Sequence, residues 1–288
     1  MNGCNNFCTY CIVPYVRGRE VSRSANSIYD EIARLEDLGV KEITLLGQNV
    51  NSYHYEQKGT LLRFPDLLDA IANKVSSVKW IRFESPHPKD FSPELIQVIG
   101  SHPTIAKHLH IPLQSGSTRI LELMNRRYTA ESYLKLLESI RKTDPTVTFT
   151  TDVMVGFPQE SEDDYQQTLD VMTEVQFLEA FMYYFNPREG TKAVSMDGQI
   201  PSEIRMQRLQ QLIDTQRSIS ASLKQKRCNR VVEVLVESVS KKSSEEYLGR
   251  TEHAEMVVFK PQAGVAIGDF VQVELSNVVG NTYTATQL

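Results

Sequence analysis

Cys4, Cys8 and Cys11 fall in a single stretch, GCNNFCTYC, with the spacing Cys-x3-Cys-x2-Cys, while the remaining cysteine, Cys228, lies far downstream. Three thiols packed this closely in a large chain point to metal or redox chemistry rather than to structural disulfides. No histidine precedes His54, so the loop offers no evident fourth ligand, whereas a structural zinc site is normally closed by four. A cubane 4Fe–4S cluster on three thiolates leaves one iron with an open position. That iron can take an amino and a carboxylate group, as carried by S-adenosylmethionine (SAM), and one-electron reduction can then cleave a sulfur–carbon bond to release a 5′-deoxyadenosyl radical. Zinc, or thiols without metal, stays open as the alternative at this point. Cys228 reads as an ordinary thiol.

Composition narrows the setting. With 41% hydrophobic and 23% charged residues the chain matches a soluble globular protein. No apolar run approaches the ~20 residues of a membrane span, and the first residues lack a signal-peptide pattern. The expectation is a cytoplasmic monomer with no membrane partner. A net charge of −5 excludes a uniformly basic surface, so nucleic acid would bind through local patches. Two are visible: Arg17, Arg19 and Arg23 after the cysteines, and Lys224, Lys226, Arg227 and Arg230, which Arg250 and Lys260 could extend. The bland alternative is a solvated face in each case.

The elements that must position the cysteines alternate between helix and strand. Ile28, Ile32, Leu35 and Leu38 share one helical face ahead of Gly39; KEITLLG (41–47) then reads as a buried strand. PDLLDAIANKV (65–75) suits a helix with proline in its first turn, and VKWIRFE (78–84) a second strand. Ser92 caps another helix. AKHLHIPL (106–113), TVTFTTDVMVG (146–156) and FLEAFMYYF (177–185) are further strands, with helices at roughly 117–142 and 161–175 between them. The aromatic-rich 181–185 segment reads as strand core. This alternation implies right-handed crossovers and a parallel sheet. Polar and backbone-shaping residues follow every strand, as the upper face of a βα barrel requires. Because the cysteine loop precedes the first recognisable strand, the expectation is a fragment: a partial (β/α) barrel lacking its first strand. A long amphipathic helix (201–227) leads to five short strands, read as a small five-stranded β-barrel. The organisation expected is 1–224 and 225–288.

GCNNFCTYCIVPYVRGREVSR, LLGQNVNSY, HLHIPLQSGS, MNRRYT, DVMVGFP and NPREGT occur in the order seen in the radical-SAM methylthiotransferases, which the chain resembles over essentially its whole length. Tyr10 before the last cysteine fits the CxxxCxΦC form of the radical-SAM superfamily, and the C-terminal barrel resembles a TRAM domain, an RNA-binding module. Within the family the likeness is strongest, at Leu46–Asn51, to members acting on isopentenylated adenosine beside the tRNA anticodon (position 37). Other members act on threonylcarbamoyl-adenosine or a ribosomal protein.

The resemblance implies a 4Fe–4S cluster on Cys4, Cys8 and Cys11, SAM as cosubstrate, and a methylthio group placed on carbon 2 of the adenosine. It implies tRNA and an electron donor such as flavodoxin or ferredoxin as partners. It implies SAM contacts at Tyr10, Gln48, Asn49, Ser85, Gln114, Ser115, Gly156, Phe157 and Pro158, each of which could equally be an ordinary loop or packing residue. Arg126, Arg127 and Arg188 are candidates for phosphate or cofactor contacts. His87, His108 and His110 read as hydrogen-bonded rim residues rather than metal ligands. The family carries a second, auxiliary cluster on an N-terminal domain absent from this sequence, so the chain alone is expected to cleave SAM at best. A non-catalytic RNA-binding fragment is the reading from another class.

Overall fold

The computed structural model describes residues 1–57 and 59–288. In chain order the elements are α1 (Val13–Arg17), α2 (Ala25–Asp37), β1 (Glu42–Leu45), β2 (His54–Gln57), β3 (Thr60–Arg63), α3 (Phe64–Lys74), β4 (Trp80–Phe83), α4 (Pro93–Ser101) and β5 (His108–His110). They continue with α5 (Thr118–Leu123), α6 (Ala130–Thr143), β6 (Thr148–Val155), α7 (Glu162–Val175), β7 (Glu179–Tyr184) and α8 (Ser202–Arg227). The last five are β8 (Val231–Val239), β9 (Tyr247–Thr251), β10 (Met256–Lys260), β11 (Phe270–Val279) and β12 (Thr282–Gln287).

β1 pairs with β4, and β5, β6 and β7 pair in that order, all parallel. The two sheets meet where Ile81 donates to the Thr104 carbonyl (2.7 Å) and Ala106 donates back to the Ile81 carbonyl (3.0 Å). The result is one open arc of five parallel strands, a partial barrel with helices on its outer face. Strand alternation sorts the side chains. In β6, Phe149, Thr151, Val153 and Val155 are buried outward, while Thr148, Asp152 and Met154 stay half-exposed on the concave face. The outward set joins Phe64, Leu68, Ile71, Leu95, Ile99, Tyr133, Leu137, Phe177 and Leu212 in one contiguous core. Serine and threonine start the helices next to the rim: the hydroxyls of Ser24, Ser92, Ser117, Thr129 and Ser161 each accept a backbone N–H three residues on. Caps of this kind contribute about 1 kcal/mol apiece.

Three expectations change. The helical segment foreseen over 117–142 is two helices, because Asn125 and Arg127 adopt left-handed backbone (φ 58 for both) and Thr129 caps a new start. The 181–185 aromatics are not strand core throughout. β7 is the last strand of the arc, and Phe181, Tyr183 and Tyr184 are 54%, 52% and 40% exposed while Phe185 is buried. The β2–β3 hairpin was not foreseen at all.

The C-terminal strands close into a barrel in the order β10-β12-β11-β8-β9, filled by Val234, Val236, Val257, Phe259, Val273, Leu275 and Tyr283. α8 ties it to the arc. Its Gln216 and Ser220 donate to the Phe177 and Leu178 carbonyls (2.8 Å each), and the Tyr283 hydroxyl donates to the Lys224 carbonyl (3.2 Å). The turn after β9 enters the base of the arc, opposite the cysteine loop. Arg82, itself ion-paired with Glu42 (3.1 Å), donates to the carbonyls of Thr251 and Glu252 (3.1 and 2.7 Å). The Lys107 N–H donates to the Glu252 carboxylate (3.1 Å), and the Lys107 carbonyl lies 3.0 Å from His253 Nδ1. Trp80 meets Phe270 edge-on at 4.8 Å.

Burial, with Arg82 and other cations nearby, holds His108 and His253 neutral, at pKa values of about 3 and about 4. Both titrate higher once unfolded, so stability is full above about pH 6.5 and is lost as pH falls toward those values. We expect a melting temperature lower at pH 5 than at pH 7.5, corresponding to about 1–2 kcal/mol per histidine after discounting for partial exposure. His253→Gln should remove roughly half of that pH dependence in scanning calorimetry. An unchanged profile in the variant would show that the seam is not the sensitive element.

Candidate functional site

The cysteine loop lies across the rim at the C-terminal ends of the strands and is held from three sides. Gly3 has φ +75, and a Cβ there would collide with the Arg19 carbonyl, so glycine is required for the loop to double back on itself. Asn2 and Val21 exchange backbone hydrogen bonds (3.1 and 2.8 Å), and the Cys4 N–H donates to Gly18 (3.1 Å). From the segment after β1, the Gln48 side-chain oxygen accepts from the Gly3 N–H (2.7 Å). From the turn between α5 and α6, Asn125 Nδ2 donates to the carbonyls of Asn6 and Phe7 (3.1 and 3.0 Å). Thr9 donates its N–H to Met124 (3.1 Å) and its hydroxyl to Leu123 (2.9 Å). The Ala193 N–H donates to the Thr9 carbonyl (2.9 Å). Cys4 and Cys8 are thereby buried, each 8% exposed, and Cys11 is half-buried.

Two donors reach the sulfurs. The Asn6 N–H lies 3.5 Å from Cys4 Sγ, and Arg126 Nη1 lies 3.5 Å from Cys8 Sγ. Arg126 is only 6% exposed and has no carboxylate partner among the described residues. Its Nε donates to the Tyr128 hydroxyl (3.1 Å), which in turn donates to Leu113 (2.8 Å). Burial raises the thiol pKa values of Cys4 and Cys11, so ionised sulfur here requires a cation or a metal. The donor set, three thiols and a buried guanidinium that lacks an anion, fits a negatively charged iron–sulfur group carried by separate thiolates.

The other rim positions divide. Ser85 is exposed, with left-handed backbone (φ 61). Asn49 is 1% exposed; its Nδ2 donates to Asp90 (2.8 Å), and its Oδ1 has no donor among the described residues. A cavity of about 550 Å³ joins Tyr10, Cys11, Gln114, Asp152, Tyr183 and Arg188. Gln48 is occupied in holding the cysteine loop. Ser115 is fully buried, accepting from the Ser117 N–H (3.2 Å) and lying 3.4 Å from the Thr168 hydroxyl. Gly156, Phe157 and Pro158 are buried too. Phe157 packs edge-on to Phe185 at 5.4 Å within a cluster that holds Ile120, Met124 and Tyr10.

The histidines are hydrogen-bonded. His108 and His110 Nδ1 lie 3.2 and 3.1 Å from the Thr148 and Thr150 hydroxyls, and burial together with the nearby Arg126 pushes His87 far down. The concave face carries a group that the sequence reading did not single out. His110 Nε2 lies 3.4 Å from Asp152, and its ring meets the exposed Phe181 at 5.7 Å. Period-two alternation in β6 and β7 was the signal available for it.

The basic stretches divide as well. Lys224 is 2% exposed and paired with Glu179 (3.1 Å), and Arg227 is paired with Glu255 (3.1 Å). Both are held inside the fold, leaving Lys226 and Arg230 exposed. Arg250 pairs with Glu42 and Glu237, and Lys260 with Glu245. At the first stretch Arg23 pairs with Glu31 (2.6 Å). Arg19 lies over the Phe7 ring, and Arg17 is exposed. Arg127 is exposed, unlike Arg126.

The Radical SAM superfamily model matches residues 1–172, and the TRAM domain model matches residues 225–286. The tRNA-2-methylthio-N(6)-dimethylallyladenosine synthase of Treponema denticola is 48% identical, over 99% of this chain and 64% of its own length. The protein of that name from Phocaeicola vulgatus is 45% identical, over 98% of this chain and 62% of its own. The chain thus spans a little under two thirds of these curated relatives. Among solved structures, methylornithine synthase matches with a TM-score of 0.47 at 14% identity, over 74% of this chain and 60% of that one.

Asn125→Gly removes the two side-chain bonds to the cysteine loop while keeping its left-handed backbone unstrained. In the metal-free chain we expect alkylation of Cys8 to quicken about thirtyfold, since two bonds are lost and each is worth about 1 kcal/mol. Cys11 should react first in both proteins. Equal Cys8 rates, followed by mass spectrometry of the labelled peptides, would show that Asn125 does not hold the loop.

Proposed function

Because this chain belongs to the radical SAM superfamily and carries a TRAM domain, we propose that it is the radical-generating and RNA-binding part of a tRNA methylthiotransferase. The reaction proposed is addition of a methylthio group to carbon 2 of N6-isopentenyl-adenosine beside the anticodon. The observation that carries this reading is the clamped three-cysteine loop with Arg126 buried against it. Likeness to the named tRNA-modifying relatives supports the substrate.

Cys4, Cys8 and Cys11 would hold the cluster. When bound, the cluster supplies the electron that cleaves SAM to the 5′-deoxyadenosyl radical. The chain's own part is placement. The buried Asn49 Oδ1 is an acceptor in need of a donor, suited to an ammonium group. The Ser85 hydroxyl and the Gln114 amide lie at neighbouring strand ends, suited to polar groups of a nucleoside. The 550 Å³ cavity is within the range of small-ligand sites. Phe181 and Tyr183 on the concave face offer rings on which an unstacked base can rest, and Asp152 is an acceptor beside them. Lys226, Arg230, Arg17 and Arg19 are the exposed cations left to neutralise phosphate. Base choice would fall to the concave face, and orientation to backbone contacts. A low-potential donor such as flavodoxin or ferredoxin, a monomeric state and a cytoplasmic setting complete the proposal; no helix among the described residues is long and apolar enough to cross a membrane.

Reconstituted anaerobically with iron and sulfide, the 288-residue chain is expected to convert SAM to 5′-deoxyadenosine and to leave isopentenylated tRNA without a methylthio group. Absence of 5′-deoxyadenosine would overturn the reading. For substrate, the decisive assay is mass spectrometry of tRNA nucleosides from a strain lacking the full-length protein. Loss of the methylthio-isopentenyl nucleoside is expected, and loss of a methylthio-threonylcarbamoyl nucleoside instead would reassign it. For the RNA contact, changing Lys226 and Arg230 together to Gln should weaken tRNA binding and flatten the log–log salt dependence by roughly two phosphate contacts. Lys224→Gln should instead lower the melting temperature. An unchanged salt slope in the double variant would move the RNA site elsewhere.

A further inference from the structure

We infer that Arg126 is a positioning residue that raises the reduction potential of the cluster Cys8 would ligate, by holding a full positive charge against the Cys8 sulfur. The inference rests on the cluster assignment above and deepens it. Arg126 is aimed inward by its backbone. It sits between two left-handed residues, Asn125 and Arg127, so that the Arg127 side chain emerges into solvent while that of Arg126 is buried. The guanidinium uses its fork in two directions at once, Nη1 toward Cys8 Sγ at 3.5 Å and Nε toward the Tyr128 hydroxyl at 3.1 Å. Its carbon lies 5.3 Å from the Tyr128 ring centroid. Tyr128 is itself anchored on Pro112 and Leu113, at the end of the β5 segment. A single-point ammonium could not satisfy both partners with the same geometry.

A guanidinium kept only for packing would be expected to carry a carboxylate, because buried cations are ordinarily paired. Arg126 has none among the described residues; the Tyr128 hydroxyl and the Cys8 sulfur are the acceptors it reaches. A fixed positive charge at hydrogen-bond distance from a ligating sulfur favours the state with one more electron. Net charge and hydrogen bonds to sulfur are two of the levers that set such potentials. In the step concerned, one electron arrives from a low-potential reductant, and no bond is made or broken. Arg126 therefore makes that electron easier to add, and does so without touching SAM or the nucleoside.

The test is an EPR-monitored redox titration, with dithionite as reductant and no SAM present, of the reconstituted 288-residue chain and of Arg126→Gln and Arg126→Lys. Iron content and melting temperature are measured alongside. At the wild-type midpoint the ratio of reduced to oxidised cluster in the Gln variant is expected to fall about tenfold, which is about 59 mV for one electron. The Lys variant should recover part of the difference. An iron-replete Gln variant with the wild-type midpoint would overturn the inference while leaving the cluster assignment standing. A wild-type chain that binds no iron would remove both. Where the variants fail to fold, wild-type protein labelled with 15N at arginine decides. Pulsed EPR of its reduced state should show coupling to a guanidinium nitrogen, and its absence would overturn the inference.

Discussion

A guanidinium buried beside a thiol, with no carboxylate among the described residues to answer it, is the constraint around which this structure is arranged. The effective penalty of an unpaired buried ion is several kcal/mol, a large part of the 5–15 kcal/mol that holds a domain folded. Arg126 is nevertheless enclosed by Cys8, Tyr128 and the turn that clamps the cysteine loop. The charge makes sense once the sulfur it faces is anionic, and burial raises the pKa values of the neighbouring Cys4 and Cys11 thiols. Ligation of the three sulfurs as thiolates resolves both problems together, and so the buried charge and the loop describe one electrostatic design.

The remainder of the fold supplies rigidity to that arrangement. An eight-residue loop cannot bury its own polar backbone, and here its carbonyls and amides are met by side chains from the segment after β1 and from the turn between α5 and α6, and by the segment near Ala193. These partners come from opposite ends of the parallel arc. The arc is braced at its other end by the turn after β9, where Arg82 bonds two carbonyls of the small barrel and Lys107 engages Glu252. The two units therefore meet at the base, away from the cysteines. The concave face between them stays lined with half-buried polar groups and with rings that do not join the core.

Much of this was legible in the residues. Helix and strand periods placed the five arc strands, the long connecting helix and the five strands of the closed barrel to within a few residues, because burial imposes those periods directly. The cysteine spacing was legible for a different reason: three thiols and no histidine leave few chemistries. What escaped was direction. The run from Lys224 to Arg230 looks uniform in sequence, yet α8 turns Lys224 inward to Glu179 and leaves Lys226 outside. Arg126 and Arg127 are adjacent and identical, and only the left-handed backbone separates a buried charge from a solvated one. Ser115 and Phe157 follow strands as rim residues do, but the contact with α7 and the Phe185 cluster bury them. Phe181 and Tyr183 read as core because their composition is apolar; they are exposed because β7 ends the arc.

The central claim is that three thiolates of this loop hold an iron–sulfur cluster with one iron left open for a sulfonium cosubstrate. Mössbauer spectroscopy of the chain reconstituted with 57Fe, recorded with and without SAM, tests it most directly. The account predicts four irons per chain, one of which changes its isomer shift and quadrupole splitting when SAM is added while the other three stay as they were. Four irons that ignore SAM, or a chain that takes up a single zinc and no iron, would contradict it.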